Sequence, residues 1–351
     1  MTENTVQPSL DLLERLERGP VICAEGYLFE LERRGYLQAG AFVPEVVLEQ
    51  PELVAQLHRE FVHAGSDVVE AFTYYAHREK MRLIGKEHLL EELNRGALVI
   101  ARGVARECDA LLAGNICNTN VFVGDAASRG TVRAMFEEQV GWAVEAGVDF
   151  VIGETFSWAE EALIGLEVIK EAGLPAVMTL AIHQEPSTRE GWTPAEACKR
   201  LEDRGADVVG LNCIRGPRTM LPLIQEIRAA VETHVAALPV PYRTHEDQPS
   251  FQSLRDEGYE DFPDGRPFPT ALDPFTCNRY ELADFTRAAR ELGADYLGVC
   301  CGAGPHHIRS VAEALGRTPP ASRFTADMSK HAFLGTDEKI SRAYREYAEK
   351  L

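Results

Sequence analysis

Three cysteines at the ends of two apolar segments have the residue type and placement of a metal site. Cys300 and Cys301 close the segment "YLGVCC", and Cys213 follows "DVVGLN". Adjacent cysteines do not easily form a disulfide with each other, but thiolates from two strand ends can converge on one soft metal ion. Three sulfur ligands at roughly 2.3 Å would leave one tetrahedral position of Zn²⁺ open, as catalytic zinc sites do. A thiol substrate could fill that position and be deprotonated there at neutral pH.

The size and charge of the chain favour a small substrate. Its 351 residues can bury a large core, and 36 basic and 55 acidic side chains give a net charge of −19, which argues against nucleic acid or an anionic membrane as the main partner. The N-terminal segment lacks the pattern of a signal peptide, and no apolar run is long enough to span a bilayer. We therefore expect a cytoplasmic protein in which the remaining cysteines are reduced and buried or half-buried: Cys23, Cys108, Cys117, Cys198 and Cys277.

Short apolar segments alternate with longer segments of helical periodicity, which is typical of repeated βα units. Amphipathic segments such as "PELVAQLHREFVHAG" end at or near glycine and are predicted helices. Eight parallel strands with helical crossovers and no break in composition predict an α/β fold with one closed (β/α)₈ barrel of the TIM type. The predicted strands are 21–25, 67–72, 110–116, 149–154, 176–182, 207–212, 238–243 and 296–301.

The barrel domain is expected to occupy residues 1–316. Within it, the polar and Pro/Gly-rich stretch 244–275 is predicted to be a long loop insertion near strands seven and eight, placed over the strand ends as a lid or an oligomer contact. Residues 317–351 break the barrel pattern and are predicted to be a C-terminal tail that ends in one helix and offers an oligomer contact.

Polar residues at the C-terminal ends of the predicted strands are the candidates for the active site, because these ends surround the active site in TIM barrels. Glu25, Thr73 and Glu154 lie at such ends together with the three cysteines. Strands six and eight would bring Cys213 to the same mouth of the barrel as Cys300 and Cys301. The alternative for the cysteines is three core side chains without a metal.

Several long motifs, in the same order, resemble the zinc-dependent homocysteine S-methyltransferases, and most closely their betaine-homocysteine branch. The resemblance covers about residues 20 to 315 and rests on "FELERRGYLQAGAFVPE", "LHREFVHAGSDVVEAFTYYA", "VDFVIGETF", "GLNC" and "GVCCG". It implies a (β/α)₈ barrel, bound Zn²⁺ and methyl transfer to homocysteine that yields methionine. It also implies a tendency to form homo-oligomers.

The resemblance assigns roles to individual residues of this chain. Cys213, Cys300 and Cys301 match the zinc ligands, Glu154 matches the carboxylate that holds the homocysteine ammonium, and Thr73 lies where the family contacts the amino-acid part. No catalytic side chain is implied beyond the metal-activated substrate thiolate. The methyl donor is expected to be an onium ion, which aromatic faces recognise. The aromatic candidates are Phe42, Phe72, Tyr74, Tyr75 and Phe156, of which Tyr75 matches the donor-site tyrosine of the family.

Three positions depart from the betaine branch and leave the donor open. Ala24 stands where the family has an aspartate, with Glu25 one residue along, and neighbouring strand residues face opposite sides. Thr155 replaces a tyrosine, and Phe42 replaces a tryptophan. Glycine betaine is the first choice of donor, followed by dimethylsulfoniopropionate, S-methylmethionine or another methylated ammonium compound.

Two other classes of protein fit parts of the pattern. A phosphate-binding barrel lyase or isomerase would leave the cysteines without a role and would need a strand-end lysine, which the predicted strands lack. A non-catalytic zinc- or thiol-binding protein would account for the altered first-strand motif.

His306 and His307 follow the cysteine motif, but "GPHHIR" favours a helix start over metal ligands. Asn212 is expected to orient groups behind the metal ligands.

Overall fold

Eight parallel strands form a closed barrel in the computed structural model, which describes residues 10–38, 40–258, 263–324, 327–333 and 335–350. Each strand pairs with the next, and β8 pairs with β1 to close the ring. The predicted (β/α)₈ fold is therefore confirmed. The strands are β1 (Val21–Ala24), β2 (Val68–Glu70), β3 (Leu111–Cys117), β4 (Phe150–Phe156), β5 (Ala176–Leu180), β6 (Val208–Asn212), β7 (His234–Leu238) and β8 (Tyr296–Val299).

Helices surround the barrel, and the longer ones between the strands bury an apolar face. In the helix at 51–64, Val54, Leu57, Phe61 and Ala64 are buried at helical spacing, and Gly65 ends the helix in the left-handed conformation at φ +116°. The helices are α1 (Leu12–Arg18), α2 (Tyr27–Arg33), α3 (Val46–Glu49), α4 (Pro51–Ala64), α5 (Arg78–Leu83), α6 (Leu90–Cys108), α7 (Ala126–Ala146), α8 (Ala159–Glu171), α9 (Pro194–Glu202), α10 (Pro217–Ala230), α11 (Arg279–Glu291), α12 (Pro305–Ala314) and α13 (Glu338–Ala348). In the parts of the chain that the structure describes, no helix combines the length and apolar character needed to cross a bilayer.

The interior of the barrel is packed rather than hollow. Leu12 and Leu16 of α1 join the cluster of inward-facing strand residues, which includes Phe150 and Tyr296, and all four are buried. Since α1 directly precedes β1, it covers the end of the barrel where the strands begin. The polar strand-end residues lie at the opposite end, where the chain leaves each strand.

The seventh strand differs from its prediction. The structure has β7 at His234–Leu238, whereas the sequence pattern placed it at 238–243. The segment "LPVPYR" is apolar, but Pro239 and Pro241 have no backbone N–H to donate to a strand ladder. The shorter "HVAAL" has full backbone pairing capacity and pairs with β6 along its whole length. The proline segment instead forms the loop that follows the strand.

The insertion and the tail have the predicted irregular and helical character in the described residues. Between β7 and α11 the structure has short 3₁₀ turns, such as Asp273–Phe275, and isolated bridges between Tyr242 and Thr276 and between His245 and Gln248. The tail ends in α13, and it exposes large apolar side chains, including Phe324 and Tyr347. An oligomer contact through the tail stays a prediction.

Candidate metal centre and substrate pocket

The three cysteines meet in space. The Sγ atoms of Cys213, Cys300 and Cys301 all lie within 4.8 Å of one another. Cys213 and Cys300 are buried, and Cys301 is half-buried at the edge of a pocket. Hydrogen bonds from the two other thiols lower the pKa of Cys213 well below its usual range, while burial raises the pKa of Cys300. The three thiols therefore interact directly with one another.

Unusual backbone geometry positions these thiols. Cys213 and Ile214 have φ values of 58° and 56°, in the left-handed region that residues with a side chain seldom adopt. The Cys213 N–H donates to the Leu238 carbonyl at 2.9 Å, and the Cys300 N–H donates to the Pro239 carbonyl, also at 2.9 Å. Both cysteine-bearing loops are thus tied to the end of β7 and the loop that follows it.

Gly302 lets the chain turn directly after the cysteine pair. Its φ is +92°, and a Cβ built there would lie 2.2 Å from the Tyr242 hydroxyl oxygen. We expect Gly302→Ala to lower the stability by about 2–4 kcal/mol, since backbone strain adds to the displacement of a buried ring. Urea unfolding and metal content would measure the effect. Gly316→Ala is the matched control, because Gly316 has φ +77° and nothing within 4 Å of the built Cβ. Equal losses in both variants would contradict a steric role for Gly302.

Two carboxylates lie beside the thiols and share one asparagine. The Asn212 side-chain amide lies 2.8 Å from a Glu154 oxygen and 3.1 Å from a Glu25 oxygen. Glu25, Glu154 and Cys300 offer ligand atoms within 4.8 Å of one another, so the acidic pair adjoins the thiols. Thr155 binds Glu154 at 3.0 Å and donates its backbone N–H to Asn212 at 2.9 Å. Asn212 therefore orients both carboxylates.

A third buried carboxylate was not predicted. The Asn115 amide donates to Glu70 at 2.6 Å and to Glu154 at 2.7 Å, and it thus links the second strand to the fourth. Both Asn115 and Glu70 face the same pocket. The signal that could have found them is a polar residue inside an otherwise apolar strand, in "LLAGNIC" and "DVVEAF".

This pocket is suited to a positive ligand. In the described residues, none of the ion pairs includes Glu25, Glu70 or Glu154. Burial raises the pKa of all three carboxyl groups, that of Glu154 to about 7. One oxygen of Glu25 has no hydrogen-bond partner. A cation in the pocket would offset the cost of burying these carboxylates.

The aromatic candidates divide into two groups. Phe72 and Tyr74 line the pocket together with Cys301. The centroid of the Tyr75 ring lies 4.2 Å from that of the Tyr74 ring. The backbone of Tyr75 has φ 61°, and its N–H donates to the sulfur of Cys117 at 3.3 Å. These three rings from the β2 loop therefore stand at or next to the pocket.

Phe42 and Phe156 lie elsewhere. Phe42 packs 5.6 Å from Phe29 and lines a surface groove instead of the pocket. Phe156 is fully buried and packs edge-to-face against Phe136 of α7, 5.9 Å away. A register shift between Gly153 and Phe156 ends the regular alternation of β4, so Phe156 does not follow Glu154 into the mouth.

Thr73 and the two histidines have structural partners. The Thr73 hydroxyl donates to the Asn115 carbonyl at 3.0 Å and lies outside the residues that line the pocket. His307 accepts the Gly304 N–H on Nδ1 at 3.0 Å, and α12 begins at Pro305. The predicted helix start at the histidines is confirmed.

The donor set suits a soft metal. Three sulfur atoms within 4.8 Å of one another are close enough to share one ion, and thiolates select Zn²⁺ and other soft ions. The side of the trio next to Glu154 and the pocket is where a further ligand could approach. The residues thus fit a metal with three protein ligands and one open position.

The barrel and the thiol–carboxylate grouping at one of its ends define a TIM-barrel enzyme with a candidate metal centre. A profile of the homocysteine S-methyltransferase family matches residues 22–315. The chain belongs to this family and is a methyltransferase.

Relatives with two different methyl donors are about equally similar to the chain. It is 37% identical to betaine–homocysteine S-methyltransferase 1 of Xenopus tropicalis, over 97% of this chain and 85% of the relative. It is 36% identical to an S-methylmethionine–homocysteine S-methyltransferase of Pongo abelii, over 97% of this chain and 92% of the relative. The metallated structure of the Escherichia coli homocysteine methyltransferase MmuM superposes with a TM-score of 0.66 at 18% identity, over 85% of this chain and 97% of that one. This last likeness concerns the fold.

Proposed function

We propose that the protein transfers a methyl group from an onium donor, with glycine betaine as the first choice, to the sulfur of homocysteine, and that Zn²⁺ held by Cys213, Cys300 and Cys301 is its cofactor. The observation that carries this proposal is the position of the thiol trio beside a buried acidic pocket. A thiol at one end of the substrate and an ammonium at the other match these two features.

The acidic residues would hold the amino end of homocysteine. Glu154 is fixed by Asn115 on one oxygen and by Asn212 on the other, so its position is set before the substrate arrives. Glu25 has a free oxygen and faces the same space. We infer that Glu25 takes the place of the aspartate that the family has at Ala24. Thr73 would support the strand end behind the amino-acid part.

The thiol end of homocysteine would point at the cysteines. A bound Zn²⁺ supplies a thiolate at neutral pH, because it lowers the pKa of a thiol that coordinates it. The protein would contribute the placement of the sulfur in line with the methyl carbon and the exclusion of water from the pocket. A sulfur–carbon bond forms as the carbon–onium bond breaks, so the leaving group is neutral and the methyl carbon needs no general base.

The donor would bind against the rings of the β2 loop. An onium ion has no hydrogen donor on its charged centre, and aromatic faces attract it electrostatically. Tyr74 and Phe72 present rings inside the pocket, and Tyr75 adjoins Tyr74. Burial raises the pKa of Tyr75 to about 12, so its phenol stays neutral at physiological pH.

A donor panel with metal analysis tests this function. We expect stoichiometric zinc and methionine formation from homocysteine with glycine betaine; dimethylsulfoniopropionate and S-methylmethionine are the next donors to compare. The highest kcat/KM identifies the donor. Stoichiometric zinc without methionine from any donor would favour a non-catalytic zinc- or thiol-binding protein. A protein that binds no zinc would contradict the proposal.

A further inference from the structure

The face of Tyr75 is already covered by a cation of the protein itself. The Lys80 ammonium lies 4.1 Å from the centroid of the Tyr75 ring, which is within the range of a cation–π contact. Lys80 belongs to the first turn of α5, five residues after Tyr75, and its side chain is half-buried. A loop that presents an aromatic face to an onium donor therefore also carries a positive charge next to that face.

Lys80 has no carboxylate partner among the residues that the structure describes. In the described ranges, no Asp or Glu oxygen lies within 4.0 Å of its nitrogen, whereas Lys86, Lys170 and Lys199 each have such a partner. Removing an ammonium from water without an anionic partner is unfavourable. An anion that approached this position would restore the missing interaction.

The tyrosine pair connects Lys80 to the substrate pocket. The Tyr74 ring lies 4.2 Å from the Tyr75 ring and lines the pocket with Cys301 and Glu154. The acidic side chains Glu25, Glu70 and Glu154 line this pocket, whereas Lys80 contacts the Tyr75 ring and is not among the residues that line it. The contacts from Lys80 to Tyr75 and from Tyr75 to Tyr74 thus connect a cationic side chain to the lining of the acidic pocket.

We propose that Lys80 binds the carboxylate of the methyl donor and so selects onium compounds that carry a carboxylate one or two carbons from the charged centre. This inference rests on the proposed function and narrows its donor class to zwitterions such as glycine betaine and dimethylsulfoniopropionate. Binding of the carboxylate draws the ammonium away from the Tyr75 face and leaves that face to the onium group. Choline, which has an onium group and no carboxylate, would meet Lys80 as a like charge.

Binding of glycine betaine, dimethylsulfoniopropionate and choline to the zinc-loaded protein without homocysteine, where no methyl transfer consumes the donor, is measured by calorimetry and tests this inference, with KM values as a second readout. We expect Lys80→Met to raise the Kd of the two zwitterions about 10- to 100-fold, as for the loss of a charged hydrogen bond. The Kd of choline for the variant should be no higher than its Kd for the wild type, and the KM for homocysteine should not change. Lys80→Arg keeps the charge and should restore most of the affinity. Lys86→Met is the matched control, because Lys86 pairs with Glu45 and does not contact Tyr75.

The outcomes separate this inference from the proposed function. Unchanged or tighter betaine binding by Lys80→Met would overturn the inference, and tighter binding would show that Lys80 only competes for the ring. Methionine formation with such a result would leave the proposed function intact. A Lys80-dependent affinity for zwitterions without turnover would support the inference and count against the methyl transfer. Failure of the wild type to bind either zwitterion would overturn the inference as well.

Discussion

Cys301→Ala should lose both its metal and its activity. We expect the zinc content to fall from about one equivalent to near zero, and methionine formation to fall by at least about 1,000-fold. The reason is that the structure brings only three sulfur atoms together at this point in the described residues, so a variant with two cannot keep the ion or the orientation of an incoming thiol. Metal analysis after dialysis and a methionine assay measure both effects.

Cys198→Ala controls for the loss of a buried cysteine. Cys198 is fully buried in α9, and its sulfur approaches the Gly210 carbonyl of β6 at 4.0 Å, outside the thiol trio. We expect this variant to lose about 1 kcal/mol of stability and to keep its zinc and its turnover. Normal zinc content and rate in Cys301→Ala would show that the ligand set is wrong.

Glu154→Gln should weaken homocysteine binding with little change in metal content. The substitution keeps the shape of the side chain but replaces the anionic oxygen that would face the ammonium. A hydrogen bond to a charged group is worth about 1.5–3 kcal/mol, so kcat/KM for homocysteine should fall roughly 10- to 150-fold. Steady-state kinetics with varied homocysteine at saturating donor would measure the loss.

Glu161→Gln is the corresponding control. Glu161 is also buried, but it accepts the backbone N–H and the hydroxyl of Thr119 at 2.8 and 2.6 Å and does not line the pocket. The control variant should lose some stability while its KM for homocysteine stays unchanged. An equal rise of KM in both variants, or an unchanged KM in Glu154→Gln, would exclude Glu154 as the ammonium partner.

The barrel was predictable because its local signals agree with one another. Strands buried on both sides are continuous apolar runs, and helices such as α4 bury one face and end at a glycine that adopts positive φ. The error at β7 arose where hydrophobicity and backbone chemistry disagree: "LPVPYR" is the more apolar run, but its two prolines cannot complete a ladder. The availability of backbone N–H donors therefore determines where β7 forms.

The thiol trio was predictable for a similar reason, since the C-terminal strand ends of a closed parallel barrel lie at one mouth and strands six and eight are separated by a single strand. The positions of the aromatic side chains were harder to predict, because they depend on local backbone conformation. Thr155 has φ 60°, and the strand register shifts after Gly153. As a result, the Phe156 side chain points into the layer between the barrel and the helices. Strict alternation would have placed Phe156 on the same side as Glu154.

The structure shows where the carboxylate of the altered first-strand motif, Glu25, is placed. The Glu25 carboxylate reaches the Asn212 amide at 3.1 Å even though it stands one residue beyond the position of the family aspartate. Glu25 follows the last residue of β1, so it is not bound by the alternation of the strand. Its longer side chain and its place in the loop bring the carboxylate to the pocket.

X-ray absorption at the zinc edge, recorded before and after addition of homocysteine, tests the central claim most directly. The protein should show three sulfur neighbours around the metal without the substrate and four with it, since Cys213, Cys300 and Cys301 leave one position for the incoming thiol. A sulfur count that stays the same when homocysteine binds, or a metal without sulfur neighbours, would contradict the account.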